Sequence, residues 1–274
     1  MAYFTLSNVP MTHNTFKVRA YCRRGVPVVR TSKSSMSSSL KSVGVLFDVD
    51  GTLADSTNLA YTATNEVLLR HGHKQISIEA YLKATIHTTP RRMAVHAHED
   101  PEHPAGLVLA KDFDETYVQR VSEETTPFFP GVAEVVKYAH ENDAALGVLS
   151  NACGDYARAV CAANGEAGAL LAAANVVWGA DDVDAPKPAP NGLRACVRAL
   201  LGDEGDACSR CVYVGDAPTD GMAASAAGCR SVGVTWGAHG KEALADHFDV
   251  VVESGDALHE AIRHVLMQMQ PIQT

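Results

Sequence analysis

The sequence lacks any continuous apolar run of the roughly 18 residues that a membrane-spanning helix requires. It also lacks a positive charge excess, because its 274 residues carry a formal net charge of −9. Negative charge repels the phosphate backbone of nucleic acids and the anionic surface of membranes. We therefore expect neither nucleic acid nor a membrane as a partner.

Several well-known motifs are also missing. The seven cysteines are odd in number and show no regular framework beyond a lone C-x-x-C at Cys208 and Cys211. The stretch 237–241 does not complete a phosphate-binding loop. His259 and His264 stand one residue too far apart for an H-E-x-x-H zinc motif. The sequence thus gives no support to a disulfide scaffold, a P-loop nucleotide-binding site or a zinc site of the H-E-x-x-H type.

The first 41 residues lack acidic side chains altogether. They contain seven Lys and Arg, while the remaining residues carry 16 Lys and Arg against 32 Asp and Glu. Eight of the twelve residues at 31–42 are Ser or Thr. A basic, Ser-rich, acid-free stretch is typical of an organellar transit peptide. The alternative is a disordered basic tail with no targeting function. We expect a chloroplast or mitochondrial location if the leader is real, and a cytoplasmic one otherwise.

From residue 43 onward, short apolar runs alternate with helical patterns. Each run is short and rich in β-branched residues, as in a parallel sheet covered on both faces by helices. The predicted strands lie at 43–47, 145–149, 176–178, 211–214, 231–235 and 249–252. The pattern predicts an α/β fold with a doubly wound parallel sheet, a Rossmann-like core.

One segment interrupts this alternation. Nearly 100 residues separate the first two predicted strands, and they show helical patterns at 59–71, 78–85, 91–98 and 105–125. Such a segment is too long for a loop. We predict a small all-helical cap domain at 57–129, inserted into a core formed by 42–56 and 130–270.

Polar side chains follow four of the predicted strands. In an open α/β sheet, ligands bind beyond the carboxyl ends of the strands. The polar residues expected at this edge are Asp48, Asp50, Ser150, Asn151, Lys187, Asp216 and Asp220. Four acids, a hydroxyl, an amide and a lysine from distant parts of the chain are therefore predicted to meet in one site.

This set of residue types suits phosphoryl transfer. Asp48 and Asp216, with Asp220 beside them, form a hard oxygen site of the kind that Mg²⁺ prefers. Lys187 adds positive charge, and Ser150 can hold phosphate oxygens. Charge neutralisation of this kind does most of the catalytic work in phosphoryl transfer. The alternative to a metal-supporting role for Asp220 is that of an acid in the first turn of a helix, favoured by the helix dipole.

The two acids of the first motif would divide the chemistry. Asp48 is the candidate nucleophile, which would carry an aspartyl-phosphate intermediate. Asp50 would protonate the leaving alcohol and then deprotonate the attacking water. Gly51 allows the backbone to approach neighbouring groups closely. The Thr52 hydroxyl can form a hydrogen bond nearby and is a candidate phosphate-binding group.

The motifs DVDGTLADS, LSNA, APKPAP and VGDAPTDGMAAS resemble, in order and spacing, the four motifs of the haloacid dehalogenase superfamily. The resemblance spans about residues 43–265. An acid at Asp50 and a cap directly after the first motif are similar to the phosphoglycolate phosphatase-like group. The resemblance implies a Mg²⁺-dependent phosphatase acting on a small-molecule phosphate ester.

It also implies roles for single residues. Asp48 would be the nucleophile and Asp50 the acid/base, with Ser150 and Asn151 on the phosphate. Lys187 would contact the nucleophile and the phosphate. The implied Mg²⁺ ligands are Asp48, the Asp50 carbonyl and Asp216, and Asp220 would support the metal indirectly.

Substrate choice is expected to come from the cap. Arg91 or Arg92 could pair with a substrate carboxylate or second phosphate, because Arg suits bidentate recognition. A solvent-facing helix start is the alternative. The leading substrate is 2-phosphoglycolate; a sugar phosphomutase and a non-catalytic binding protein on the same fold are the alternatives. We expect a monomer or homodimer.

Overall fold

The computed structural model describes residues 41–203 and 206–269. The predicted leader at 1–41 lies outside the described residues except for Lys41. Within the described part, no helix combines the length and apolarity that spanning a membrane requires.

The core is a six-stranded sheet in the order β3-β2-β1-β4-β5-β6, and every pairing is parallel. The strands are β1 (Gly44–Phe47), β2 (Ala145–Leu149), β3 (Val177–Trp178), β4 (Cys211–Gly215), β5 (Arg230–Val234) and β6 (Val250–Val252). In the central strand, Phe47 is in register with Val148 on one side and Val214 on the other. The carboxyl ends of three strands therefore meet at one point.

Helices cover both faces of the sheet. The core helices are α5 (Val132–Glu141), α6 (Gly154–Ala163), α7 (Gly165–Ala173), α8 (Asn191–Leu201), α9 (Pro218–Ala227), α10 (Lys241–Leu244) and α11 (Gly255–Met269). Alternate side chains of β1 enter opposite layers: Val45 and Phe47 pack in one hydrophobic cluster and Leu46 in another. Burial on both faces explains why the strands have no polar side, and the predicted doubly wound α/β fold is confirmed.

The long insertion is helical, as expected. We call it the cap, and its helices are α1 (Thr57–Arg70), α2 (Ile78–Ala84), α3 (Thr89–His98) and α4 (Ala105–Gln119). Helix α4 packs against α1 and α3 within the cap and against α6 of the core. Because the contacts do not separate the cap from the sheet, its division at 57 and 129 stays a prediction.

Some elements differ from the sequence expectation. Helix α4 ends at Gln119, whereas the pattern predicted helix to 125. There the Thr125 hydroxyl donates to the Arg120 carbonyl and Ser122 N–H bonds to Thr125, a local arrangement that competes with helix. Helix α7 begins at Gly165, where φ is 55°. Its run of small residues lacks a clear polar face, and the sequence analysis predicts no helix there.

Candidate active site

A cavity of about 460 Å³ lies between the cap and the carboxyl ends of the strands. Its core side includes Asp48, Lys187 and Asp216, and its cap side includes Arg92 and Phe113. A volume of this size suits a small molecule. The predicted meeting of motifs at one sheet edge is thus observed, with the cap as the opposite wall.

The loop after β1 brings the first motif into contact with the motif after β4. Asp48 N–H donates to the Val214 carbonyl at 2.9 Å, which continues the β1–β4 pairing past the strand end. Gly51 has φ of 76°, and a Cβ at that position would collide with the Asp216 carboxylate. Glycine at 51 therefore allows the two motifs to approach closely.

Three buried carboxylates form a cluster. Asp48, Asp216 and Asp220 each offer an oxygen, and these oxygens lie within 4.8 Å of one another. Burial raises the pKa of Asp48 to about 7, although the Lys187 charge opposes the rise. Burial and the charges of Asp220 and Asp48 hold the pKa of Asp216 well above its ordinary value. The cluster is short of positive charge.

Lys187 is the cation beside this cluster. Its Nζ lies 2.8 Å from Asp48 Oδ1 and 2.7 Å from Asp220 Oδ1. It also donates to the Tyr213 hydroxyl at 2.7 Å and to the Leu149 carbonyl at 3.2 Å. Burial alone would lower the pKa of Lys187, but Asp220 and Asp48 outweigh it and raise the pKa. Lys187 is therefore held as an ammonium.

The donor set fits a divalent cation. The cluster holds three carboxylates but one ammonium, which pairs with Asp48 and Asp220, and all of these side chains are buried. Asp220 is already engaged, since Oδ1 faces Lys187 and Oδ2 accepts from Ala217 N–H at 3.0 Å. Asp48 and Asp216 are left with the unbalanced charge, and hard oxygen ligands of this kind suit Mg²⁺. Asp220 is therefore both an acid in the first turn of α9 and an ion-pair partner of Lys187.

Ser150 and Asn151 both line the cavity, but their hydrogen bonds differ. Ser150 is buried, and its Oγ accepts from Ala152 N–H at 3.0 Å. Asn151 accepts from Lys187 N–H at 2.9 Å and donates to the Lys187 carbonyl at 3.0 Å. Asn151, predicted to contact the phosphate, here fixes the backbone of the lysine that reaches Asp48.

The Asp50 carboxylate contacts side chains of both the cap and the core. Its Oδ1 accepts hydrogen bonds from Ser56 Oγ at 2.5 Å, from Tyr117 OH at 2.8 Å and from Tyr156 OH at 2.8 Å. Asp50 still lines the cavity. The carboxyl expected to perform acid/base chemistry is thus held by hydroxyls of the cap and of the core.

Two predicted binding residues are placed less favourably. Thr52 is buried and is not among the residues that line the cavity. Its hydroxyl has no hydrogen-bond partner in the described part of the chain. Arg91 reaches the cavity rim, but it is exposed and forms an ion pair with Glu102. The structure therefore gives no contact role to the Thr52 hydroxyl and leaves Arg91 mostly at the surface.

Arg92 is the better-placed cap cation. Its guanidinium lies 5.5 Å from the Tyr81 ring centroid and 5.1 Å from that of Phe113. Its Nε is buried and has no hydrogen-bond partner among residues 41–203 and 206–269. Burial raises the pKa of nearby Asp114 to about 7, with the Arg92 charge opposing the rise. Arg92 therefore places a positive charge at the cavity wall.

Four further polar side chains at or near the cavity were not anticipated: Ser56, Tyr117, Tyr156 and Tyr213. Tyr213 alternates with buried valines in β4, and Tyr156 follows the second motif by a few residues, so their positions carried weak signals. Tyr117 lies in the cap helix α4 and had no sequence signal. His239, whose Nδ1 is buried and lacks a partner in the described chain, also lines the cavity.

Comparison with known proteins agrees with this geometry. Residues 45–234 match the family model of haloacid dehalogenase-like hydrolases. Phosphoglycolate phosphatase of Salmonella typhimurium is 30% identical over 241 residues, which cover 80% of this chain and 92% of that protein. Phosphoglycolate phosphatase of Yersinia pseudotuberculosis is 30% identical over 213 residues, covering 76% and 88%.

Solved structures share the fold. CbbY from Rhodobacter sphaeroides in complex with phosphate superposes with a TM-score of 0.65 at 24% identity, covering 78% of this chain and 95% of that one. A hydrolase from Pseudomonas syringae gives a TM-score of 0.64 at 19% identity, covering 81% and 98%. With its motifs, its sheet and these relatives together, the chain belongs to the haloacid dehalogenase-like hydrolase family and is a phosphatase of the phosphoglycolate phosphatase-like group.

Proposed function

We propose that the protein is a Mg²⁺-dependent phosphatase that hydrolyses a small phosphate monoester through an aspartyl-phosphate on Asp48. The observation that carries this proposal is the contact between the Lys187 ammonium and Asp48 within the buried carboxylate cluster. A carboxylate that is buried, fixed by a cation and exposed to a cavity is a suitable nucleophile. Asp48 and Asp216, with the Asp50 carbonyl, would hold Mg²⁺, which neutralises charge on the phosphate oxygens when bound.

The chemistry of the chain's own residues follows. An Asp48 oxygen attacks phosphorus, the bond between phosphorus and the ester oxygen breaks, and Asp50 gives its proton to the leaving alcohol oxygen. Asp50 then takes a proton from water as that water attacks the phosphorus of the aspartyl-phosphate, which releases inorganic phosphate and regenerates Asp48. Lys187 and the Ser150 hydroxyl stabilise the transferring group throughout.

Our leading substrate is 2-phosphoglycolate. Arg92 supports this choice, because its aromatic-flanked guanidinium lines the cavity and can pair with a carboxylate. The names of the Salmonella and Yersinia relatives point the same way. A second phosphate would satisfy Arg92 equally in charge, so the substrate panel must include bisphosphates.

The test is phosphate release by the full chain on a panel of esters, with Mg²⁺ and with EDTA. The panel contains 2-phosphoglycolate, hexose phosphates and a sugar bisphosphate. Asp48→Asn removes the nucleophile, and Asp246→Asn, at an exposed position, is the matched control for the same chemical change. We expect Mg²⁺-dependent release that Asp48→Asn abolishes and Asp246→Asn preserves.

Three other outcomes would correct the proposal. Isomerised sugar phosphate with little free phosphate would indicate a phosphomutase. Full activity in EDTA would refute the Mg²⁺ requirement. If a folded, Mg²⁺-loaded protein turned over no ester, a non-catalytic binding protein would be the remaining hypothesis.

We also propose that the leader at 1–41 directs the protein to an organelle. Its charge and Ser content are the support, and the rest of the chain has the opposite charge. A fluorescent protein fused behind residues 1–41 should enter mitochondria or chloroplasts, and a diffuse cytosolic signal would refute the proposal.

A further inference from the structure

The hydroxyl groups around Asp50 come from three separate places in the chain. Ser56 precedes the cap, Tyr117 lies on cap helix α4, and Tyr156 lies on core helix α6. All three oxygens lie within hydrogen-bond distance of the same atom, Asp50 Oδ1. One carboxylate oxygen thus ties the cap to the core.

The two tyrosines also contact each other. Their hydroxyl oxygens are 2.9 Å apart, and their rings stack with centroids 4.0 Å apart. Each phenol has one proton, so the two cannot both donate to Asp50 and still share a hydrogen bond. Either both hydroxyls donate to Asp50 Oδ1, or one donates to the other, which in turn donates to Asp50. In both arrangements the two tyrosines hold Oδ1 together.

This arrangement distinguishes the two oxygens of Asp50. Oδ1 is occupied by hydroxyls, whereas Oδ2 makes no hydrogen bond within the described chain and is not among its buried unpaired atoms. Asp50 lines the cavity. Oδ2 is therefore the oxygen left to exchange a proton with a bound ester.

We propose that Tyr117 is a positioning residue, which together with Tyr156 fixes the rotamer of Asp50 so that Oδ2 faces the leaving group only when the cap is docked. The inference rests on the proposed phosphatase function. Of the three hydroxyls around Asp50 Oδ1, the one from Tyr117 belongs to the cap. The orientation of Asp50 therefore depends on the position of α4. A cap that moves away would remove one of the donors that hold Asp50.

The test is Tyr117→Phe, which keeps the ring and removes the hydroxyl. Tyr61→Phe is the matched control, because Tyr61 is also a cap tyrosine and its OH donates to the Ile76 carbonyl at 3.1 Å, away from the cavity. Single-turnover rates are compared on an alkyl phosphate and on p-nitrophenyl phosphate, whose leaving group needs no proton. General acid catalysis contributes about 100-fold or more to such a step.

We expect Tyr117→Phe to slow formation of the aspartyl-phosphate from the alkyl ester by roughly tenfold or more, within that contribution, and to spare the p-nitrophenyl ester. KM should change little, and Tyr61→Phe should match the wild type. Tyr156→Phe should show the same leaving-group dependence. Equal losses on both esters would mean that the hydroxyl serves packing alone, and no loss on either would overturn the proposal.

A second measurement does not depend on turnover. Hydrogen exchange of the peptide that contains residues 48–56 should speed up in Tyr117→Phe but not in Tyr61→Phe. If the wild type hydrolyses no ester, the phosphatase proposal fails, while this exchange still tests the link between Tyr117 and Asp50. Unchanged exchange at 48–56 would refute that link.

Discussion

Lys187 Nζ lies 2.8 Å from Asp48 Oδ1, although 139 residues separate them in the chain. The contact requires the loop before α8 to return to the end of β1, and Asn151 holds that loop by its backbone. Buried charges are costly unless paired, so the short distance marks a contact on which both stability and chemistry depend.

Lys187→Met should therefore cost activity. We expect kcat to fall by at least about 100-fold, as when a preorganised electrostatic group is lost. The folded protein should also lose stability, because Asp48 and Asp220 would be left buried without their cation. Phosphate release and thermal denaturation measure the two effects. Lys241→Met, which breaks an exposed ion pair with Glu253, is the control and should leave both nearly unchanged.

The raised pKa of Asp48 makes stability depend on pH. Its folded pKa of about 7 exceeds the ordinary value of 3.8, so its contribution is fully present below pH 3.8 and is lost as pH rises through about 7. In EDTA, the Tm of the wild type relative to Asp48→Asn should therefore fall between acidic and mildly alkaline pH.

The comparison with Asp48→Asn isolates this group from others that titrate in the same range, such as Asp114 and His96. Added Mg²⁺ should raise the wild-type Tm at alkaline pH, because a ligand that binds only the folded state stabilises it. A relative Tm that rises with pH in EDTA would contradict the assignment.

Arg92 and Arg91 are adjacent, yet their substitutions should differ. Arg92→Met should lower kcat/KM for a substrate with a second anionic group by roughly 10- to 100-fold, the loss expected for a charge-assisted hydrogen bond of about 1.5–3 kcal/mol. The same change should affect a neutral alkyl phosphate far less. Arg91→Met should match the wild type on both, because Arg91 pairs with Glu102 at the surface. Equal effects of the two variants would remove Arg92 from substrate recognition.

Gly51 and Gly72 allow a second matched comparison. Both have positive φ, at 76° and 78°, so alanine costs about 1–2 kcal/mol of conformational strain at either position. Only at Gly51 would the new methyl group collide with Asp216, whereas nothing lies within 4 Å at Gly72. Gly51→Ala should therefore lose both stability and Mg²⁺ binding, measured by calorimetry, and Gly72→Ala should lose stability alone. Retained Mg²⁺ affinity in Gly51→Ala would show that Asp216 can shift without consequence.

The sheet, the order of its motifs and the helical insertion could be predicted because their signals are local. An apolar β-branched run indicates a buried strand wherever it lies, and parallel strands bring their carboxyl ends to one edge. Asp48, Lys187 and Asp216 follow such runs or adjoining loops, so the sequence alone placed them together. The end of α4 was harder to predict, because hydrogen bonds at Ser122 and Thr125 determine it. Helix α7 was also harder to predict, because its run of small residues shows no helical pattern.

By itself, the sequence determined which acids and which lysine form the centre of this protein, since strand pattern and strand order suffice to gather them. Only the tertiary structure decided what those groups touch. It turned Asn151 onto the Lys187 backbone, placed Arg92 against Phe113 while Arg91 paired with Glu102, and brought Tyr117 and Tyr156 to the same oxygen of Asp50. These contacts depend on how the cap packs against the core, and side chains separated by tens of residues leave no local pattern from which that packing can be read.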